Sequence, residues 1–286
     1  MNKLEVKQDQ RLDQEVVARL PKLSRTFAAR LIETGKVSIN GLVVQKPGRK
    51  LHEGDKIVID YDISQHGQFP DINLPIIYED KDCVVINKPV GLLSHSKGAY
   101  NPEPTVATWL KSRLEKGLGD DRGGIVHRLD RATSGVMICA KTAEAQVWLQ
   151  KQFSMRKVIK TYDAVVVGKM PHDHAIIDMP IMRNPKKPQT FRVGSKGKPA
   201  TTEYWVQEQN MGTTLLKLQP KTGRTHQLRV HLSTIGYPIV GDTFYGGVAA
   251  DRLYLHAREL ELVLPSGIKK SFTAATPEAF KAPMEL

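Results

Sequence analysis

The stretch Gly124-Ile125-Val126-His127-Arg128-Leu129-Asp130-Arg131-Ala132-Thr133-Ser134-Gly135 sets one carboxylate between two arginines, after an apolar run and before a Thr/Ser/Gly turn. Opposite charges within about 4–6 Å favour the ionised form of a carboxylate. Asp130 is therefore expected to stay ionised, which suits a nucleophile or an electrostatic stabiliser better than a general acid. A lone Arg-x-Asp more often marks a salt-bridged strand end. The weight rests on what accompanies it.

Three further segments accompany it in order. Upstream is Val85-Ile86-Asn87-Lys88-Pro89-Val90-Gly91-Leu92-Leu93, and downstream is Lys160-Thr161-Tyr162-Asp163-Ala164. Then comes Thr222-Gly223-Arg224-Thr225-His226-Gln227-Leu228-Arg229-Val230-His231-Leu232, followed by Gly241-Asp242 and Tyr245-Gly246. Together the four resemble the signature of the RluA-like pseudouridine synthases, whose catalytic aspartate closes an H-R-L-D tetrapeptide. The resemblance spans about residues 76–264. It implies an α+β pseudouridine synthase fold with a mixed, largely antiparallel central sheet and a catalytic cleft. It also implies Asp130, Tyr162 and Arg229 as the catalytic set, with Arg229 pairing with Asp130 and holding it oriented. Leu228, Arg128 and His127 are expected against the substrate, Leu228 capping the apolar side of the pocket and Arg128 entering the space left by a flipped-out nucleotide.

Composition agrees with a cytoplasmic enzyme acting on RNA. The chain has 286 residues, enough for one or two domains, and no apolar run approaches the roughly 18 residues of a membrane span. Its polar start lacks the apolar core of a signal peptide. Cys83 and Cys139, each inside an apolar run, are expected to be buried thiols in a reducing compartment. The net charge of +12 is uneven: residues 156–229 hold 14 Lys and Arg against 5 Asp and Glu, three quarters of the whole excess. A basic segment of this kind is the footprint of a phosphate binder, although solvated lysines alone give the same count.

The first 64 residues read as a separate small α/β domain. Leu12, Val16, Val17 and Leu20 recur at helical spacing, and a second helix is expected from the cap Ser24, burying Phe27, Ala28, Leu31 and Ile32 and stopping at Gly35. Val37-Ser38-Ile39 and Leu42-Val43-Val44 flank Asn40-Gly41, the strongest two-residue hairpin signal, and Lys56–Asp60 supplies another strand. Ser24-Arg25, Arg30-Leu31-Ile32 and Gly35–Gly41 resemble the ribosomal protein S-four-like RNA-binding domain. On that resemblance Arg25, Arg30, Lys36, Lys46, Arg49 and Lys50 are the expected phosphate contacts; a structural or protein-binding appendage is the other reading. Residues 65–75, with Pro70 and Pro75, are expected to be a linker, and 76–286 the catalytic domain.

Other chemistries fit poorly. Ser154-Met155-Arg156-Lys157 with Lys221-Thr222-Gly223 matches two elements of the serine penicillin-recognising enzymes, but no Ser-Asp-Asn links them. No H-e-x-x-H or C-x-x-C spacing supports a metal site, and Gly194–Lys198 lacks phosphate-loop spacing. No cofactor and no metal are therefore expected. Pseudouridine formation suits this inventory: uracil leaves ribose C1′, turns and reattaches through C5 without redox change. Asp130 is expected to assist departure of the base, by attacking C1′ or by taking a ribose proton. Tyr162 offers a ring for stacking on uracil and a hydroxyl near the proton lost from C5. Large-subunit ribosomal RNA is the expected partner, with transfer RNA as the alternative, and the protein is expected to be a monomer. A ribosome-associated RNA-binding protein without catalysis is the reading from a different class. Such a protein is expected to have lost Asp130, Tyr162 or Arg229, and all three are present.

Overall fold

The computed structural model describes residues 4–6, 9–21, 23–62, 71–96, 103–118 and 122–284. These fall into two compact units, one within residues 1–71 and 96–104, the other within 72–95 and 105–286. Most of the expected linker lies outside the described residues.

In the first unit, β1 (Leu4–Glu5), β2 (Gln10–Arg11), α1 (Leu12–Arg19), α2 (Arg25–Glu33), β3 (Val37–Ile39), β4 (Leu42–Val43), β5 (Lys50–Leu51) and β6 (Lys56–Ile59) follow one another. The Ser24 hydroxyl accepts the Phe27 N–H at 3.2 Å and so starts α2. Asn40 and Gly41 both have positive φ, +51° and +82°. That pair of values is what a tight hairpin turn requires, and it joins β3 to β4. A sheet in the order β1-β6-β3-β4 covers the two helices, and Leu12, Val16, Phe27, Ile32, Val37 and Ile57 form the core between them.

The second unit is built on a nine-stranded sheet. Its early elements are β7 (Ile76–Glu79), β8 (Cys83–Lys88), α3 (Val106–Leu110), β9 (Ser134–Ala140), α4 (Ala143–Ser154) and β10 (Ile159–Val167). Then follow β11 (His174–Asp178), β12 (Ile181–Arg183), β13 (Phe191–Val193), β14 (Thr201–Gln209), β15 (Thr213–Pro220), α5 (Gln227–Thr234), β16 (Leu255–Val263) and β17 (Lys269–Thr273). The sheet runs β11-β14-β15-β10-β16-β9-β8-β7, with β17 added to β16, while β12 and β13 form a separate hairpin. The pairing of β9 with β16 is parallel and the rest of the named ladders are antiparallel. The sheet is thus mixed and largely antiparallel, as expected.

Gly135, the last residue of the opening stretch, explains the parallel contact. It pairs with Ala257 at φ +118°, and a Cβ there would stand 2.2 Å from the Ala257 carbonyl oxygen. Only glycine lets β9 close on β16. The loop ahead of β9 is thereby carried to the middle of the sheet. Against the neighbouring strands, Ala164, Val166, Leu216 and Leu218 pack with Leu228 and Leu232 of α5. Burying each such leucine contributes about 1.5–3 kcal/mol, and it fixes α5 over the β10–β15 ladder. The four quoted segments meet between this helix and the loop.

Candidate active site

Asp130 lies on the loop between Ile125 and β9, held from behind by the Lys88–Leu93 segment. The Lys88 ammonium, fully buried, donates to the carbonyls of Pro89 (2.9 Å), Leu92 (2.8 Å) and Arg131 (3.5 Å). Burial pushes its pKa down to about 8, against the pull of Asp130. Ser94 Oγ donates to Leu129 O at 2.8 Å and accepts from Leu129 N–H at 3.1 Å. Arg131 Nε donates to Gly91 O, and the Gly91 N–H returns a bond to Arg131 O. Arg131 is therefore tied to the supporting segment. The side chains that face Asp130 come from elsewhere.

They are Arg229 and His226, both 3.8 Å from Asp130 Oδ2. Arg229 was expected to pair with Asp130; that ion pair is present at 3.8 Å, and the structure adds a closer partner, Asp242. Nε and Nη2 each donate to an Asp242 carboxylate oxygen at 2.7 Å. Asp242 is only 1% exposed, so it needs a bidentate countercharge, and the guanidinium supplies one. Burial opposes the charge on Arg229, but the bonds and charge of Asp242 outweigh it and raise the pKa. The guanidinium also lies over the Tyr245 ring, 4.9 Å from its centre. Gly241 makes the approach possible, since a Cβ there would meet Arg252 O at 1.8 Å.

His226 caps α5 in the left-handed conformation, φ +56°. The Phe191 N–H donates to the Tyr245 hydroxyl oxygen at 2.9 Å, and the Tyr245 O–H is assigned as the donor to His226 Nδ1 at 2.7 Å. This bond assigns the remaining ring proton to Nε2, the nitrogen that faces Asp130. Burial lowers the His226 pKa despite the nearby carboxylate, so the ring is a neutral donor. Arg229 and His226 thus both stand 3.8 Å from one oxygen of Asp130, just beyond hydrogen-bond distance.

The carboxylate faces a cavity of about 410 Å³ lined by Arg128, Asp130, Tyr162, His226, Leu228 and Arg229, among others. That volume falls within the range of ligand pockets, roughly 300–1,000 Å³. Tyr162, on β10, is half-buried. Burial, with a smaller contribution from Asp130, raises its pKa and keeps the phenol protonated. Leu228 is buried on the wall, and Arg128 is exposed at it. His127 also lines the cavity, but its ring serves the fold. It stacks on Phe153 at 4.5 Å, and Nε2 accepts the Ile138 N–H at 3.1 Å. Burial and then the charge of Lys160 push its pKa down to about 3.

Comparison with known proteins places this arrangement. The family described as RNA pseudouridylate synthase matches residues 82–234, and the S4 domain matches residues 10–57. Ribosomal large subunit pseudouridine synthase D of Yersinia pestis is 40% identical over 288 residues, covering 94% of this chain and 88% of that protein. The chain belongs to the RNA pseudouridylate synthase family. An RNA pseudouridine synthase of Aquifex aeolicus is 40% identical over 245 residues, covering 84% and 78% of the two chains. Among solved structures, human RNA pseudouridylate synthase domain containing 1 superposes with a TM-score of 0.61 at 29% identity, covering 74% of this chain and 87% of the other. The protein is an RNA pseudouridine synthase, an isomerase.

Within the synthase, Asp130, Tyr162, Arg229, Leu228, Arg128 and His127 converge on one cavity. Sequence reasoning assigned no role to Asp242, Tyr245 or His226, although all three lay in the matched third segment. Among the described residues, no three His, Cys, Asp or Glu side chains converge as metal ligands do, and no helix is long and apolar enough to cross a membrane. The six cations expected to contact phosphate in the S4 domain divide into two kinds. Arg25 bonds Asp13 (3.0 Å) and Lys36 bonds Asp60 (3.0 Å), so each already has a countercharge. Arg30 is exposed on α2, while Lys46, Arg49 and Lys50 line one shallow groove with Val43 and Gly48.

Proposed function

We propose that this synthase isomerises specific uridines of large-subunit ribosomal RNA in the cytoplasm, acting as a monomer through a domain of residues 76–286 joined by a 65–75 linker to an RNA-binding domain of residues 1–64. The observation that carries the target is the similarity along 94% of the chain, S4 domain included, to proteins named ribosomal large subunit pseudouridine synthase D. In the reaction the C1′–N1 bond breaks, C1′–C5 forms, a proton leaves C5 and one is gained at N1. Asp130 attacks C1′ or removes a ribose proton, and Arg229 and His226 hold its oxygen in place. Tyr162 stacks on the uracil, its protonated hydroxyl near C5. Arg128 fills the gap left when the nucleotide flips.

Mapping pseudouridines in cellular RNA with and without the protein tests the target. Sites lost from large-subunit ribosomal RNA are expected; losses confined to transfer RNA would overturn it. The S4 groove is tested by changing Lys46, Arg49 and Lys50 together to alanine. The slope of log affinity against log salt should fall by roughly 2.1–2.7, since each of the three lost phosphate contacts removes roughly 0.7–0.9.

A further inference from the structure

Two cations of the catalytic cavity take no part in the chemistry above. Arg156 and Lys160 stand four residues apart, between the end of α4 and the start of β10, and both line the cavity with Asp130 and Tyr162. Arg156 has a left-handed backbone, φ +58°, just past the C-cap residue Met155. Helices ordinarily place glycine there. The turn's own bonds, Arg156 N–H to Phe153 O (3.2 Å) and Lys157 N–H to Gln152 O (3.0 Å), involve only backbone. Nothing in them calls for an arginine side chain. The chain nonetheless keeps a large cation at a position whose backbone favours glycine.

Lys160 is half-buried, and its ammonium bonds one carbonyl, Thr222 O, at 3.3 Å. Among the described residues, neither Lys160 nor Arg156 has a carboxylate within 4.0 Å. Of the other cations of the wall, Lys221 pairs with Glu203 (2.7 Å), Arg229 with Asp242, and Arg224 Nε donates to Pro199 O, while the exposed Arg128 is assigned above to the gap left by the flipped nucleotide. Burial and the charge of Arg156 push the Lys160 pKa down to about 8, a cost that an incoming anion relieves. Among the described residues, Asp130 is the single acid lining the cavity. The anion that every nucleotide of an RNA substrate brings is its phosphodiester.

We propose that Arg156 and Lys160 form a subsite for the backbone phosphate adjoining the uridine held in the cavity. The proposal rests on the assignment of this cavity to the target uridine. Gripping the flanking phosphate fixes the flipped nucleotide in register without reading its sequence.

The test measures binding of the full-length protein to a large-subunit ribosomal RNA fragment at several salt concentrations, for wild type, Arg156→Gly and Lys160→Gln. Arg156→Gly suits the left-handed backbone and should melt at or above the wild-type temperature, so lost affinity reports the side chain. Each variant should bind about threefold to tenfold more weakly, with the salt slope reduced by roughly 0.7–0.9. A neutral methylphosphonate at one linkage beside the converted uridine should weaken wild type more than it weakens Arg156→Gly, which retains only Lys160 at that phosphate. Unchanged slopes and affinities overturn the proposal. So do strictly additive losses with methylphosphonates at both flanking linkages. Should wild type convert no uridine in the fragment, the assignment of the cavity fails, and the salt slopes, read from binding alone, still decide the phosphate subsite.

Discussion

Arg229 stands 3.8 Å from Asp130, yet its two short bonds, both 2.7 Å, go to Asp242. The arginine that faces Asp130 is itself oriented by a second, fully buried carboxylate. Asp242→Asn should therefore cost stability and turnover together, on the order of 3–5 kcal/mol, because it leaves a buried guanidinium without its countercharge. Arg229→Lys should not restore function, since an ammonium cannot make the forked pair. Thermal unfolding and tritium release from 5-tritiated uridine RNA measure both. A stable, active Asp242→Asn would show that Asp130 alone holds the arginine.

Asp130→Asn changes neither shape nor loop anchoring, because Lys88 and Ser94 grip backbone atoms around it. RNA affinity and melting temperature should stay near wild type while tritium release falls below detection. Near-normal release would remove Asp130 from the mechanism. Tyr162→Phe keeps the ring and should bind RNA almost normally; binding lost as fully as with Tyr162→Leu would mean that the hydroxyl, not the ring, contacts the substrate.

Tyr245→Phe removes the hydroxyl that fixes the His226 tautomer. Turnover should fall about tenfold, corresponding to one hydrogen bond of roughly 0.5–1.5 kcal/mol, with RNA affinity unchanged. His226→Gln, which can still donate toward Asp130, should retain more activity than His226→Phe. Equal losses in the two would reduce His226 to a packing role.

Lys88 makes stability depend on pH in a defined direction. Its pKa lies at about 8 in the folded protein, against an ordinary 10.5. Below pH 8 both states carry the charge and the cost of burying it is fully present. Between about 8 and 10.5 the native state binds fewer protons than the unfolded chain, so this contribution to stability rises with pH. Urea unfolding of wild type and Lys88→Met isolates it. Between pH 7 and 11 the difference should shift toward wild type by about 3 kcal/mol. A difference independent of pH would mean that the ammonium is not desolvated.

What the sequence determined by itself is what neighbours along the chain encode. The Ser24 cap, the Asn40-Gly41 turn and the Thr142 hydroxyl that accepts the Ala145 N–H at the start of α4 act within a few residues of themselves, and alternating burial marks β15. Four motifs in order sufficed for the family and for Asp130, Tyr162 and Arg229 as candidates. The partners of those residues were decided only by the tertiary structure. Arg229 meets Asp242 thirteen residues on, His226 meets Tyr245 nineteen on, and Lys88 reaches Arg131 O across forty-three. Likewise His127, read as a substrate contact, spends its ring on Ile138 and Phe153. No local preference specifies such pairs. They form because the parallel closure of β9 on β16 and the packing of α5 over β10 and β15 bury charges together, and a buried charge must take whichever opposite charge the fold brings within reach.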